Sequence, residues 1–286
     1  MSSAFTVVPM SQHIRLEAGK VYEGEITVAN PADATSDFHY AVDVNPYSVI
    51  DEFNTADLAT QSDRSEIVKW IEIENPTGVI KPNEVAKVKY KINVPITAPG
   101  GGQYAALGVR SNEEATATSG ASVQNVFELA SLIFAEVAGD TKHEGRILEN
   151  TIPGFVTNGQ PVVSALLTNT GNVHETAQVE IKVKNAITQE VIFPKDDQNG
   201  EFNELVMPGA TRYVTREISD MPMLGVFSVT QNISFLGDVS ENTATMVACP
   251  IWFMVLMIVT LGAIIGGIAA GIVRHRHKKK AEEALQ

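Results

Sequence analysis

The sequence contains a single cysteine, Cys249, among 286 residues. No disulfide can therefore form within the chain. Extracellular domains of many animal lineages depend on disulfides, so this absence favours a bacterial surface protein. Cys249 lies two residues before a long apolar segment, and we interpret it as a small apolar residue at a membrane boundary. Pairing between chains and acylation are the alternatives.

Basic residues are also scarce, with 21 Lys and Arg against 34 Asp and Glu and a net charge of −13. Residues 274–286 hold five of the basic residues and two of the acidic ones, so residues 1–273 carry 16 basic and 32 acidic residues. Such an acidic chain is a poor candidate for binding nucleic acid, because phosphate binding needs clustered Lys and Arg. We interpret the negative charge as keeping an exported domain soluble.

Motifs of catalysis and metal binding are missing as well. The histidines outside the C-terminal tail show no HExxH or HxH spacing, and the serines form no nucleophile elbow. The glycine cluster PGGGQY (99–104) lies between two expected strands with no Lys after it, so it predicts a turn and not a phosphate loop. Tyr104 is expected to pack into the sandwich with its hydroxyl hydrogen-bonded near this turn, and His174 to hydrogen-bond across the NTGNV turn. We predict no enzyme and no cofactor.

One acidic loop requires a separate interpretation. Asp196 and Asp197 stand in PKDDQNGE, where oxygen ligands and a glycine suit Ca²⁺. The loop lacks the full spacing of a calcium loop, and a solvated hairpin turn is the favoured interpretation.

Helical periodicity is absent except near the C-terminus, whereas alternation of period two is frequent. Val88, Tyr90, Ile92 and Val94 alternate with lysines and an asparagine, which predicts a half-buried strand. Residues 68–73 and 127–137 are expected to be strands, although 127–137 could pass for a helix. Residues 162–168 are expected to be a buried strand. Short strands separated by turns predict an all-β chain of two tandem immunoglobulin-like β-sandwiches, at 1–140 and 141–245.

The exception is a long apolar segment that begins at Ile251 and ends at Val273. It contains no charged residue and has only Thr260 as a polar side chain. As a helix it would be roughly 35 Å long, enough to cross a hydrocarbon core of about 30 Å. We predict a transmembrane helix at 250–273 and contact with membrane lipid. The linker-free junction at Cys249 and Pro250 places the sandwiches close to the bilayer.

The segment that follows, 274–286, sets the expected orientation. Basic residues next to a membrane helix stay on the cytoplasmic side. We therefore expect a single-pass cell-membrane protein with extracellular N-terminal domains and a cytoplasmic tail. The cytoplasmic cations are Arg274, Arg276, Lys278, Lys279 and Lys280.

The N-terminus raises a question about export. The first ten residues, MSSAFTVVPM, have neither the basic nor the apolar segment of a signal peptide. We expect that a signal peptide has been removed and that the first residues are vector-derived, with a mis-assigned gene start as the alternative.

The apolar segment also contains glycines at a spacing that favours close approach of two helices. Gly262 and Gly266 form one small-xxx-small pair, and Gly267 and Gly271 form a second. We predict a lateral oligomer formed through this helix.

Several stretches carry a resemblance to a known family: FTVVP (5–9), IRLEAGKVYEGEITVANPAD (14–33), IKPNEVAKVKYKINVPITAPGGGQYAALGV (80–109), LTNTGNVHE (167–175) and VMPGATRYV (206–214). They resemble the WxL-interacting cell-surface proteins, and the first half also resembles the first immunoglobulin-like domain of periplasmic pilus chaperones. The first resemblance implies binding to peptidoglycan and to host or partner ligands.

These observations predict a non-enzymatic, membrane-anchored bacterial surface protein for binding or adhesion. Its expected ligand is a cell-wall polymer or a partner surface protein. The contact site is expected in the loop at 111–122, which begins with Ser111, Asn112, Glu113 and Glu114. The alternative is a membrane-tethered assembly factor or chaperone that donates a strand to an exported subunit. A partner with an incomplete sandwich would favour this alternative.

Overall fold

The fold was obtained as a computed structural model, which describes residues 5–112, 128–157, 159–195 and 200–283. Side chains are described up to Arg274 within the C-terminal helix, and that of Glu128 is not described. The acidic pair Asp196–Asp197 and the loop residues Glu113 and Glu114 lie outside the described residues.

The first half of the chain forms a sandwich of two sheets that enclose one apolar core. One sheet has the order β1-β3-β9-β7 and the other the order β2-β11-β10-β4-β8, with a separate β5-β6 hairpin. The strands are β1 (Thr6–Val8), β2 (Ser11–Leu16), β3 (Val21–Ala29), β4 (Phe38–Pro46), β5 (Ser48–Val49), β6 (Ala56–Asp57), β7 (Ile71–Ile73), β8 (Thr77–Ile80), β9 (Val85–Asn93), β10 (Gly101–Ser111) and β11 (Glu128–Val137).

Alternation along β9 builds the core as expected. Val88, Tyr90, Ile92 and Val94 are buried, while the lysines between them lie toward solvent, where Lys87 Nζ lies 2.8 Å from Glu25 Oε1 on β3. Residues directly opposite each other on neighbouring antiparallel strands share a face. The burial of one face and the ion pairs on the other follow from the same period of two.

The N-terminal segment belongs to both sheets. It pairs with β3 as β1 and, after Pro9, pairs in parallel with β11 as β2. Strand β11 pairs with β10 on its other side. The strand predicted over residues 127–137 is therefore confirmed for residues 128–137, and the helical alternative is wrong there.

The second half forms another sandwich. Its smaller sheet has the order β12-β14-β18, and its larger sheet the order β13-β20-β19-β15-β16, with β17 also paired to β15. The strands are β12 (Gly145–Thr151), β13 (Phe155–Val156), β14 (Val162–Asn169), β15 (Glu175–Asn185), β16 (Val191–Phe193), β17 (Glu201–Val206), β18 (Thr211–Glu217), β19 (Gly225–Phe235) and β20 (Asp238–Ala248).

Three expectations about single elements were wrong or incomplete. Residues 68–73 are not one strand, because a short 3-10 helix at Glu66–Lys69 precedes β7. Strand β14 is not buried on both faces, since its side chains alternate between buried and accessible positions. Strands β17 and β20 were not predicted, because both are rich in polar residues.

A long helix, α1 (Ile251–Glu283), follows β20 after two residues. Its segment Ile251–Arg274 is long and apolar enough to cross a membrane, with a mean hydropathy of 2.5 and none of the most apolar stretch buried by the rest of the protein. The helix continues ten residues past Val273, because Lys, Ala and Glu are good helix formers. The fold class of two immunoglobulin-like sandwiches followed by one apolar helix is confirmed.

Candidate functional site

The two sandwiches meet where the turn between β14 and β15 contacts the first sandwich. The backbone oxygen of Asn172 accepts hydrogen bonds from Gly102 N at 2.8 Å and from Arg64 Nη1 at 2.7 Å. The Asn172 side chain contacts the linker, because its Oδ1 accepts from Lys142 N and its Nδ2 donates to the oxygen of Asp140. One asparagine thus joins both sandwiches and the segment between them.

Asn169 fixes the shape of this turn from within. Its side chain is buried, and its Nδ2 donates to the backbone oxygens of Val173 and Val206. Its Oδ1 accepts from Gly171 N at 2.9 Å. Every polar atom of the buried amide has a partner, so the turn is held in one geometry.

Tyr104 and His174 form the polar centre of the contact. The Tyr104 hydroxyl accepts from His174 N at 2.9 Å and lies 3.3 Å from His174 Nδ1. Contrary to expectation, Tyr104 therefore does not point into its own sandwich. It lies on the outer face of its sheet, against the second sandwich. His174 reaches this hydroxyl and does not bond across its own turn. Both expectations were wrong because the hydrogen-bond partner of each side chain belongs to the other sandwich.

Burial shapes the titration of this pair. It raises the pKa of the Tyr104 hydroxyl, although the hydrogen bond from His174 opposes the shift. Burial also lowers the pKa of His174 to about 4, and the nearby His13 and His143 add to that lowering. The imidazole of His174 is therefore neutral at physiological pH.

Two aromatic rings of the first sandwich extend the contact. His13 stacks on Phe134 with ring centroids 5.0 Å apart, and His13 Nδ1 lies 3.2 Å from His174 Nε2. Sequence reasoning missed His13. The signal was present in β2, where Ile14 and Leu16 face the core and His13 has the opposite parity.

Beside this contact lies an open cleft of about 310 Å³ between the sandwiches. Its apolar part is formed by Tyr47 and Tyr104 of the first sandwich and Met207 of the second. Arg64 also lines it, and no carboxylate of the described ranges lies within 4 Å of its guanidinium. The cleft combines an apolar wall with a cation that has no ion-pair partner within the described ranges.

The neighbouring strand β11 has an incompletely paired edge. Strand β2 pairs with β11 only from Leu132 onward, and Leu132 N donates to the oxygen of Met10. Within the described ranges no strand pairs with residues 129–131 on the side away from β10; we name this stretch the open edge. Because N–H groups two residues apart point to the same side of a strand, the Ala130 N–H points outward from the open edge.

The open edge is flanked by apolar side chains. Leu129 is 37% exposed, and Ala130 and Leu132 are half-buried on the outer face of the sheet. Ala130 and Leu132 pack against the cluster formed by Tyr47, Tyr104, Phe134 and Met207. An extended polypeptide placed along this edge would find both backbone partners and apolar surface.

The residues predicted as a binding loop lie at the end of β10. Ser111 is the last residue of β10 and pairs with Tyr40, and Asn112 N donates to the oxygen of His39. Arg110, which precedes Ser111, pairs with Glu128, the first residue of β11. Of the predicted loop, only Ser111 and Asn112 therefore lie within the described residues, at the end of β10.

The membrane-segment residues are not brought to the cleft. Gly262, Gly266, Gly267 and Gly271 face open space along α1. Among the residues that the structure describes, no group of three or more His, Cys, Asp or Glu side chains could hold a metal ion.

No protein-family model matches this chain, and no curated protein matches it. The resemblance to WxL-interacting proteins therefore stays a hypothesis.

Solved structures match most of the chain. One belongs to a chaperone–tip adhesin complex described as vital for synergistic activation of CFA/I fimbriae biogenesis; it is 11% identical, with a TM-score of 0.39, over 87% of this chain and 100% of that chain. The periplasmic chaperone SfaE is 11% identical over 85% and 99%, with a TM-score of 0.39.

A third match is the CsuC–CsuE chaperone–tip adhesion subunit pre-assembly complex of Acinetobacter baumannii. It is 16% identical over 74% of this chain and 90% of that chain, with a TM-score of 0.36. At these identities and scores the likeness concerns the type of fold, and it carries no functional argument.

Proposed function

We propose that this chain is a non-enzymatic, membrane-anchored surface protein whose first sandwich binds an extended segment of an exported protein. The observation that carries the proposal is the open edge of β11 at residues 129–131, beside the apolar cluster that forms one wall of the cleft. Binding would add the partner segment as a further strand next to β11.

The chemistry of the edge favours a polypeptide ligand. An unpaired strand offers alternating N–H and C=O groups, which match the spacing of another strand. Apolar side chains of the partner at every second position would pack against Ala130 and Leu132 and reach the wall of the cleft. A cell-wall polymer, the other expected ligand, has no such backbone spacing.

Two roles are compatible with this binding mode. In the first, the protein holds a partner surface protein at the cell surface. In the second, it is a membrane-tethered assembly factor that lends a strand to an exported subunit. The open edge supports both roles equally, and they differ in whether the bound protein is later released.

The helix α1 is proposed to span the cell membrane, with the sandwiches outside and the basic residues after Val273 in the cytoplasm. Its apolar length supports a span, and the cations supply the orientation. The glycines from Gly262 to Gly271 are proposed to pack two such helices together.

The open edge can be tested with one backbone change. Ala130→Pro removes the outward N–H and leaves the hydrogen bonds to β10 in place, and proline is tolerated at strand edges in this position. Ala130→Ser keeps that N–H and serves as the matched control. Full-length chains in detergent would be incubated with envelope extracts, and the captured proteins would be identified by mass spectrometry. In a separate experiment, the same chains would be incubated with purified wall polymer.

The proposal expects a protein captured by wild type and Ala130→Ser, with capture by Ala130→Pro reduced at least tenfold. The thermal unfolding midpoint of Ala130→Pro must stay near that of the control for this comparison to hold. Equal capture by all three chains would contradict strand addition at this edge. Sedimentation with wall polymer alone would support polymer binding instead.

A further inference from the structure

The membrane-proximal end of the second sandwich is defined by strand pairing. Strand β20 ends at Ala248, opposite Gly225, and its residue Val247 pairs with Phe155 of β13. Asn185 at the end of β15 pairs with Phe227 near the start of β19. The described residues of the segments 152–161, 186–189 and 219–224 therefore lie at the same end of the sandwich as the start of α1.

This end presents large apolar side chains to solvent. Ile187 is 83% exposed, and Phe155, Met223 and Leu224 are each about half exposed. Ile187 is held at the tip of its turn, because the N–H groups of Ile187 and Thr188 both donate to Asn185 Oδ1. We name these four apolar residues the apolar rim.

The apolar rim has almost no charge. The three segments named above contain Asp220 as their only charged residue and no Lys or Arg. Charged residues such as Lys184, Glu190 and Glu217 flank these segments. An exposed surface of this kind marks a contact with another apolar phase.

The connection to α1 identifies that phase. Cys249 N donates to the oxygen of Val156 at 2.9 Å, and the Pro250 oxygen accepts from Phe253 N and Met254 N. The chain from Ala248 to Ile251 spans no more than about 11 Å. A helix that enters a bilayer at Ile251 therefore places the rim at the level of the lipid headgroups.

The first turn of α1 marks the same level. Trp252 is exposed one residue after the helix begins, and tryptophan is enriched at the boundary between lipid and water. The apolar rim and Trp252 thus lie on the two sides of one short junction.

We propose that the apolar rim inserts into the headgroup region of the outer leaflet and fixes the tilt of the second sandwich on the membrane. The proposal rests on the proposed membrane span. Because the rim has no basic residue, its binding is apolar and independent of anionic lipid, unlike that of a polybasic surface.

The test uses fluorescent probes on the full-length chain in vesicles. In a Cys249→Ala background, Ile187→Cys carries an environment-sensitive dye, and Val239→Cys provides an equally apolar, exposed control toward the opposite end of the sandwich. Ile264→Cys reports on the span. The vesicles contain phosphatidylcholine with nitroxide quenchers at headgroup or mid-bilayer depth, with or without phosphatidylglycerol.

The proposal expects headgroup quenchers to reduce emission at position 187 at least twofold, with or without phosphatidylglycerol, and to leave position 239 unchanged. Position 264 is then quenched at mid-bilayer depth. Quenching at position 264 without quenching at position 187 overturns the rim proposal and leaves the span intact. This outcome is also the one expected if the rim is buried against a second copy of the chain. No quenching at 264 overturns the span itself.

Discussion

At the scale of single residues, the relative position of the sandwiches depends on Tyr104 and His174. Their contact satisfies a backbone N–H and a hydroxyl that are shielded from water. A polar group left without a partner in such a place costs about 1–3 kcal/mol. The pair therefore has a consequence for stability that depends on pH.

We expect stability to fall in acid through His174. The pKa of its ring is lowered to about 4 in the folded protein by burial and by His13 and His143, from about 6.5 in an unfolded chain. The unfolded state then binds more protons between these values, so stability is complete above about pH 6.5 and falls as the pH decreases toward 4. The loss is about 2 kcal/mol at most, because solvent reaches the half-buried ring.

His174→Gln isolates this effect, since glutamine keeps a polar partner for Tyr104 and does not titrate. Urea unfolding of the full-length chain at pH 7.5 and at pH 4.5 measures it. The wild type should lose more stability than His174→Gln between these pH values. Equal losses would show that the ring does not resist protonation.

Gly102 gives a second prediction at this scale. A Cβ at this position would lie 1.9 Å from the Tyr104 hydroxyl oxygen, and Tyr104 is buried. Gly102→Ala should destabilise the protein by about 2–4 kcal/mol through overpacking and the lost bond to His174. Gly154→Ala is the matched control, since nothing lies within 4 Å of its added Cβ. Thermal unfolding midpoints that fall equally in both variants would contradict the prediction.

At the scale of elements, strands were predictable where one face is apolar and the other polar. Strand β9 follows this rule through Val88 and Tyr90. Strand β20 does not, because Ser240, Asn242 and Thr243 give it no apolar period, and its place is set by pairing with β19. The prediction of two sandwiches thus rested on the clear strands, and the polar ones depend on their neighbours.

The candidate site was harder to predict for a related reason. Tyr104 and His174 are 70 residues apart in sequence. Each lies near a turn, so the sequence predicts for each a contact within its own sandwich. Only the packing of one sandwich on the other brings them together. The open edge of β11 was likewise not visible, because it depends on where β2 begins to pair.

The helix α1 carries a prediction of its own. Replacing Gly266 and Gly267 with isoleucine adds bulk to a surface that now faces open space. If two helices pack through these glycines, the double variant should lose the cross-linked dimer of the full-length chain in detergent, while the soluble part stays folded. Gly262→Ala together with Gly271→Ala keeps small residues and is the control. If the cross-linked wild-type protein migrates as a monomer, the prediction is wrong.

At the scale of the whole molecule, the open edge of β11 lies beside the contact between the two sandwiches, and α1 begins at the far end of the second sandwich. The contact around Asn172 fixes the first sandwich on the second, and the second continues into α1 after Cys249 and Pro250. In the proposed membrane orientation, the second sandwich therefore separates the open edge of β11 from the membrane. Such an arrangement suits capture of a protein that has just crossed the membrane or is anchored beside it.

The most direct test places photo-crosslinking amino acids singly at positions 129–132 of β11 in cells that produce the full-length chain. Strand addition predicts adducts with one exported protein that are strong at positions 130 and 132, on the outer face of the sheet. Positions 129 and 131 should give at least fivefold weaker adducts, because their side chains have the other parity. Adducts of equal strength at all four positions, or adducts with wall polymer alone, would contradict the proposed function.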